Sequence, residues 1–128
     1  KQLMKHESPI INGDGTFSRD FTYIDNAIQM NVLAITTKNK KALNQVYNTA
    51  VGDRTTLIEL VDYLKKNLSV FDSKIADIKI KHGPNRKGDI PHSLASIDKA
   101  KTLIDYKPSH SIEQGIKAAV NWYWTNLK

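Results

Sequence analysis

Residues 45–68 read Gln45-Val46-Tyr47-Asn48-Thr49-Ala50-Val51-Gly52-Asp53-Arg54-Thr55-Thr56-Leu57-Ile58-Glu59-Leu60-Val61-Asp62-Tyr63-Leu64-Lys65-Lys66-Asn67-Leu68. The first seven form a compact run of β-type character closed by a glycine, which predicts a buried strand. Thr56 and Glu59 stand at the spacing of a capping box, in which each side chain satisfies a free amide of the first helical turn. Leu57, Leu60, Val61, Leu64 and Leu68 follow at helical spacing and supply one apolar face. A strand leading into an amphipathic helix is the repeating unit of an α/β fold.

Upstream, Ser8 to Asn12 is a short apolar run closed by Asn12-Gly13-Asp14-Gly15. Glycine supplies the positive φ that a tight turn requires, so this stretch predicts a strand and a turn. Beyond Phe21-Thr22-Tyr23, the apolar residues Ile24, Ile28, Val32 and Ile35 recur with helical period. With Asp25 placed to cap its start, they predict a helix over residues 25–36. Downstream, Asp77 to Lys81 alternates weakly and reads as a further strand before the turn-rich loop His82-Gly83-Pro84-Asn85-Arg86-Lys87-Gly88-Asp89. Ser96 can cap a short helix carrying Ile97, Ala100, Leu103 and Ile104. Pro108 breaks the chain, and Ser111 with Gln114 makes a second capping box. The last helix carries Ile112, Ile116, Val120, Tyr123 and Leu127 on one face, with Trp122 and Trp124 flanking it. The expected architecture is a small mixed α/β domain with few short strands and about four helices, too few strands for a doubly wound Rossmann domain.

At 128 residues the chain has the size of one domain, residues 1–128, able to enclose a single hydrophobic core. It contains no cysteine, which removes a disulfide framework and the usual Cys/His zinc sites. His6, His82, His92 and His110 are scattered, and none stands at metal-ligand spacing, so no metal site is expected. No apolar run of about eighteen residues occurs, and Lys1-Gln2-Leu3-Met4-Lys5-His6 lacks the features of a signal peptide. The protein reads as cytoplasmic, with no membrane partner. Its opening residues resemble the tail of a helix rather than a natural start, so the chain is expected to be a fragment of a larger enzyme.

The net charge of +6 favours anionic partners. Much of the excess sits in Lys38, Lys40 and Lys41 and in Lys65 and Lys66, where solvated faces account for it. These cations are not interleaved with aromatics as a base-stacking surface requires, so no nucleic-acid partner is expected. The sequence has no G-x-G-x-x-G, and Asn12-Gly13-Asp14-Gly15 lacks the Lys-Ser/Thr of a P-loop, which leaves it a structural turn. No serine, histidine and acid arrangement suggests a triad. Asp20, Asp25 and Asp89 suit capping and ion-pair roles. Two arginines beside turns stand out, Arg19 and Arg86. Guanidinium forks bind phosphate oxygens bidentately, and two from separate loops can clamp a diphosphate. Either one, taken alone, equally suits a salt-bridged surface position.

The elements Gly13-Asp14-Gly15…Arg19-Asp20-Phe21…Tyr23-Ile24-Asp25, Tyr47-Asn48…Gly52 and Arg86-Lys87-Gly88-Asp89-Ile90-Pro91-His92-Ser93 occur in the order and approximate spacing of one family. Over nearly all its length the chain resembles the carboxy-terminal half of extended short-chain dehydrogenase/reductase enzymes, the NAD-dependent epimerase/dehydratase family. Among them it is most similar to UDP-hexose 4-epimerases, and Pro91-His92-Ser93 resembles their UDP-N-acetylglucosamine branch. The resemblance implies oxidation at sugar C4 by NAD, rotation of the 4-keto sugar and return of the hydride to its other face. It also implies that the catalytic Ser/Thr, the Tyr-x-x-x-Lys and the cofactor-binding Rossmann domain lie outside this sequence. The fragment is then catalytically silent, and its partners are a UDP-sugar and that missing domain, in an enzyme expected to be a homodimer serving polysaccharide biosynthesis.

By the same resemblance, Arg19 and Arg86 match diphosphate-binding arginines and Asp89 a ribose-binding acid. Ile10 and Asn12 fall where related enzymes contact uracil, and Thr56 is a further substrate-side position whose capping role already explains it. Tyr23 and Asp25 are read as structural. Ser93 matches a pocket gate, where serine leaves room for an N-acetyl group that a tyrosine would crowd. Two alternatives remain. The same domain serves sugar-nucleotide dehydratases, decarboxylases and glucuronate epimerases, and a small basic nucleic-acid-binding module is a reading of another class.

Overall fold

A computed structural model describes residues 1–127. A 3-10 turn at Leu3–Lys5 leads into β1 (Ile10–Asn12) and β2 (Ser18–Arg19), followed by α1 (Ile24–Thr36) and a second 3-10 turn at Lys40–Ala42. Next come β3 (Thr55–Thr56), α2 (Leu57–Leu68), a 3-10 turn at Ser73–Asp77 and β4 (Lys81–Gly83). Two helices, α3 (Asp98–Ile104) and α4 (Ile112–Asn126), complete the described residues. β1 pairs in parallel with β4, with Ile10 opposite Lys81 and Asn12 opposite Gly83. β2 pairs antiparallel with β3, with Ser18 opposite Thr56, and an isolated parallel bridge joins Ser18 to His92. The fold is therefore a small mixed α/β structure with four α-helices and few short strands among the described residues.

Both capping boxes form. Thr56 Oγ1 accepts from the Glu59 amide at 3.2 Å, and the Thr56 amide donates to Glu59 Oε2 at 2.8 Å. Ser111 and Gln114 exchange the same two bonds at the start of α4. Ser96 also acts at the start of α3, where its Oγ accepts from the Asp98 amide at 3.3 Å, one residue before the capping position at Ile97. These motifs are short-range, so local sequence is enough to specify them.

Where long-range packing decides, the structure departs from the sequence pattern. In place of a single core there are two apolar clusters. One joins Leu3, Leu68, Ile75, Ile116 and Val120 between α2 and α4. The other joins Met30, Ala42, Ala50, Ile97, Ala100, Ile104 and Tyr106 around α1 and α3. The expected strand at 45–51 is not one: Val46 is 85% exposed, and no strand pairs with this segment among the described residues. Side chains tie it down instead. Tyr47 Oη donates to the Ala42 carbonyl, and the buried Tyr106 Oη donates to the Ala50 carbonyl, both at 2.8 Å. Strand character needs a neighbouring edge, and a β-type composition cannot create one.

The expected strand at 77–81 is likewise displaced, because the 3-10 turn occupies Ser73–Asp77 and pairing with β1 starts only at Lys81. In α1 the cap position falls on Tyr23, whose side chain makes no capping bond, so Asp25 lies in the first turn instead of capping it. The face of α1 that enters the protein carries Asn26 and Met30, while Ile24, Ile28, Val32 and Ile35 are exposed.

Asn26 explains that orientation. It is fully buried, and its Nδ2 donates to the His110 carbonyl at 2.8 Å while its Oδ1 accepts from the His110 amide at 3.0 Å and Ser109 Oγ at 3.1 Å. These bonds rotate α1 toward the link between α3 and α4 and turn the isoleucine stripe outward. Asn26→Ala strands both backbone groups of His110 in a buried setting, and is expected to cost about 2–4 kcal/mol. A urea unfolding curve of wild type against the variant measures it, and a change below about 0.5 kcal/mol would contradict this role.

Candidate functional site

Six of the seven residues singled out as ligand contacts are gathered around two short chain crossings. The seventh, Thr56, borders the group from β3. Parallel pairing of β1 with β4 brings Asn12 beside Gly83 and thus beside the start of the 84–93 loop. With the Asn12 amide oriented so that its oxygen faces the guanidinium, Arg86 Nε and NH2 donate to it at 2.6 and 3.0 Å. At the other end of the same loop, Arg19 NH2 donates to Asp89 Oδ1 at 2.8 Å. Arg19 NH1 also donates to the carbonyls of Ser18 at 2.9 Å and Pro91 at 3.4 Å. Arg86 thus lies in the loop to which Arg19 is paired, although 67 positions of sequence separate the two arginines. Arg19 is ion-paired with Asp89, and Arg86 is hydrogen-bonded to Asn12.

The Gly13–Gly15 turn is structural. Gly13 has φ of +77° and Gly15 of +85°, conformations that favour glycine. Space excludes a side chain as well: a Cβ at Gly13 would lie 2.1 Å from Asn85 Oδ1, and one at Gly15 would lie 2.5 Å from Ile58 Cγ1. The Gly13 carbonyl accepts from His82 Nδ1 at 2.7 Å, and the Gly13 amide donates to the Gly83 carbonyl at 2.8 Å. The turn is thus filled by the protein itself and offers no cradle for a pyrophosphate.

Ile10 is exposed on β1, two residues before Asn12. Ser93 is exposed, and its amide donates to the Ser18 carbonyl at 3.1 Å, which sets it beside the Arg19 strand. Thr56 sits opposite Ser18 across β2 and β3, but its hydroxyl both donates to Glu59 Oε2 and accepts from the Glu59 amide, so the cap engages it. Tyr23 packs its ring on His110 with centroids 5.0 Å apart and also fills the space beside Gly115, in keeping with a structural role.

Three residues that organise this region were not on the list of candidates. Asp20 accepts from the amides of Val51 at 2.9 Å and Gly52 at 3.0 Å, which fixes the strand that carries Arg19 against the 45–52 segment. Ser18 and His92 join Oγ to Nδ1 at 2.9 Å. The contacts span 31 and 74 positions along the chain, and no local motif signals them. Among the described residues no cluster of three or more histidine, cysteine or acidic side chains is placed to hold a metal ion. Among the same residues no helix is long and apolar enough to cross a membrane.

Two guanidinium groups with a carboxylate and hydroxyls nearby have the chemistry to grip an anion and orient hydroxyls. Residues 1–119 match the family model described as GDP-mannose 4,6 dehydratase. The chain belongs to that family, the NAD-dependent epimerases and dehydratases of nucleotide sugars. It is 32% identical over 125 residues to a putative UDP-glucose 4-epimerase of Methanocaldococcus jannaschii, covering 98% of this chain and 37% of that protein. Its fold superposes with a TM-score of 0.81 on the UDP-N-acetylglucosamine 4-epimerase of Methanobrevibacter ruminantium in complex with UDP-N-acetylmuramic acid. That match is 32% identical and covers 96% of this chain and 36% of that one. A UDP-glucuronic acid 4-epimerase of Bacillus cereus, a Y149F mutant bound to a fluorinated UDP-glucuronic acid and NAD, matches with a TM-score of 0.82 and 29% identity. There the match covers 97% of this chain and 37% of the other. The chain thus spans little more than a third of the length of these relatives.

Two carboxyls in the region are held below the usual range. The backbone amide of Thr16, and then its hydroxyl, lower Asp14, and the backbone amide of Thr56, and then its hydroxyl, lower Glu59. Groups depressed in this way contribute stability at neutral pH that is lost as pH falls through their lowered values. In an NMR titration the Thr16 and Thr56 amides should therefore shift with midpoints below those of free carboxyls, about pH 3.9 for Asp and 4.3 for Glu. Midpoints at or above those values would contradict the hydrogen-bonded geometry.

Proposed function

We propose that this chain is the carboxy-terminal, UDP-sugar-binding domain of an NAD-dependent UDP-hexose or UDP-N-acetylhexosamine 4-epimerase. The observation that carries this reading is the convergence of Arg19 and Arg86 on the loop that also bears Asp89 and Ser93. The two guanidinium groups grip the diphosphate. A phosphate oxygen that reaches Arg19 displaces the Asp89 carboxylate, which is then free to accept from a ribose hydroxyl. Asn12 and Ile10 border the base at the β1 end, and Thr56 contributes through the position of its backbone. Ser93, small and exposed, leaves space for an N-acetyl group on the sugar.

The described residues do not fit NAD, because the one glycine-rich turn is filled by Asn85 and Ile58 and offers no cradle for a dinucleotide. The nicotinamide, which takes the hydride from sugar C4 and returns it, is held by a Rossmann domain outside this chain. The surface that meets that domain includes the outward apolar stripe of α1, Ile24, Ile28, Val32 and Ile35, and the exposed Val46. Both present apolar side chains of the kind a partner domain buries. The complete enzyme is a cytoplasmic homodimer that binds neither nucleic acid nor membrane and serves polysaccharide biosynthesis.

A second reading keeps the family and changes the reaction. The matching family model is described as a GDP-mannose 4,6 dehydratase, which favours a dehydratase as the alternative. Calorimetric titration of the chain with UDP, UDP-N-acetylglucosamine, GDP-mannose and a short oligonucleotide separates these readings. The expectation is saturable binding of UDP and its sugar, with Arg19→Ala and Arg86→Ala each weakening it about tenfold or more. Binding of GDP-mannose with indifference to UDP would select the dehydratase. Salt-dependent binding of the oligonucleotide alone would overturn both.

The gate is tested kinetically in the full-length enzyme. Ser93→Tyr should suppress turnover of UDP-N-acetylglucosamine while sparing UDP-glucose, and equal loss on both would remove the gate.

A further inference from the structure

Ser18 makes contact with three successive residues of the 84–93 loop. Its amide donates to the Pro91 carbonyl at 2.9 Å, its Oγ lies 2.9 Å from His92 Nδ1, and its carbonyl accepts from the Ser93 amide at 3.1 Å. On its other side the same strand is paired with Thr55 and Thr56. Ser18 is only 5% exposed, so its hydroxyl proton needs a partner within the protein. Among the described residues the imidazole Nδ1 is the acceptor offered. The hydroxyl therefore donates, which places the proton of the neutral ring on Nε2.

The two backbone bonds set the spacing of the loop from β2. A side-chain bond between them resists sliding and twisting of the peptide planes on either side of His92. Those planes carry the Pro91 carbonyl, which Arg19 NH1 also reaches, and the Ser93 amide. We propose that His92 is a positioning residue for the nucleotide-sugar site: by accepting the Ser18 hydroxyl proton it latches the loop to β2, and so fixes the Arg19 grip relative to the Ser93 gate. This rests on the diphosphate and gate roles proposed above.

The test compares calorimetric affinities for UDP and UDP-N-acetylglucosamine across Ser18→Ala, His92→Ala, His92→Asn, the Ser18→Ala/His92→Ala double variant and Arg19→Ala. Each fold is checked by its amide NMR spectrum. Asparagine puts an amide oxygen close to where Nδ1 stands, so His92→Asn keeps the acceptor and removes the rest of the ring. Loss of one neutral hydrogen bond predicts that Ser18→Ala and His92→Ala each weaken the UDP-sugar about three- to tenfold. The double variant should be no weaker than either single one, and His92→Asn should stay within about twofold of wild type.

Additive losses, or an unchanged affinity in His92→Ala where Arg19→Ala abolishes binding, overturn the latch. If His92→Asn is as weak as His92→Ala, the ring touches the ligand directly and the positioning role is wrong. An Arg19→Ala variant that binds UDP as wild type removes the diphosphate site itself, and the latch with it.

Discussion

The backbone of Ser18 and Arg19 is hydrogen-bonded on both edges, and the arrangement of the site depends on it. On one edge lie Thr55 and Thr56, which open α2, and on the other lie Pro91, His92 and Ser93. Two residues thus join three stretches of chain that are remote in sequence. Neighbouring bonds extend the crossing: the Leu57 amide donates to the Phe17 carbonyl, the Ile58 amide to the Gly15 carbonyl, and Asp20 takes the amides of Val51 and Gly52. A strand this short has little pairing energy of its own. It persists because α2, capped at Thr56 and packed on α4, holds one of its neighbours in place.

Around that crossing the protein's own side chains pair with its charges. Arg19 and Asp89 are each about a third exposed, at 31%, and pairs in such settings contribute ~0–1 kcal/mol. An ion pair of this kind orients the guanidinium without locking it in place. Arg86 is held in the same manner by the neutral oxygen of Asn12.

Helix α1 carries a different constraint. Buried Asn26 commits α1 to the 109–110 link, and that choice leaves Ile35 83% exposed and the rest of the isoleucine stripe in solvent. The inward face is the one that carries Asn26 with its three hydrogen bonds and Met30. In the 45–51 segment Val46 is likewise outside, while Tyr47 and Asn48 reach back to the Ala42 and Ser96 carbonyls and Ala50 is buried.

Local chemistry was legible in the residues: the Gly13–Gly15 turn, the Thr56 and Ser111 capping boxes, the apolar face of α2 and the pairing of guanidinium type with turn positions all follow from interactions within a few positions of chain. The family pattern placed Arg19, Arg86, Asp89 and Ser93 on one list, but not in one place. Their meeting required the β1–β4 and β2–loop pairings, which join residues some seventy positions apart. The same limit explains the errors. Periodicity says that α1 has an apolar face and that 45–51 favours extended backbone, yet which face turns inward and whether an edge is available to pair are properties of the assembled chain. Tertiary contacts alone turned Asn26 inward, left Val46 outside and set His92 against Ser18, because each outcome depends on a partner that no short stretch of sequence contains.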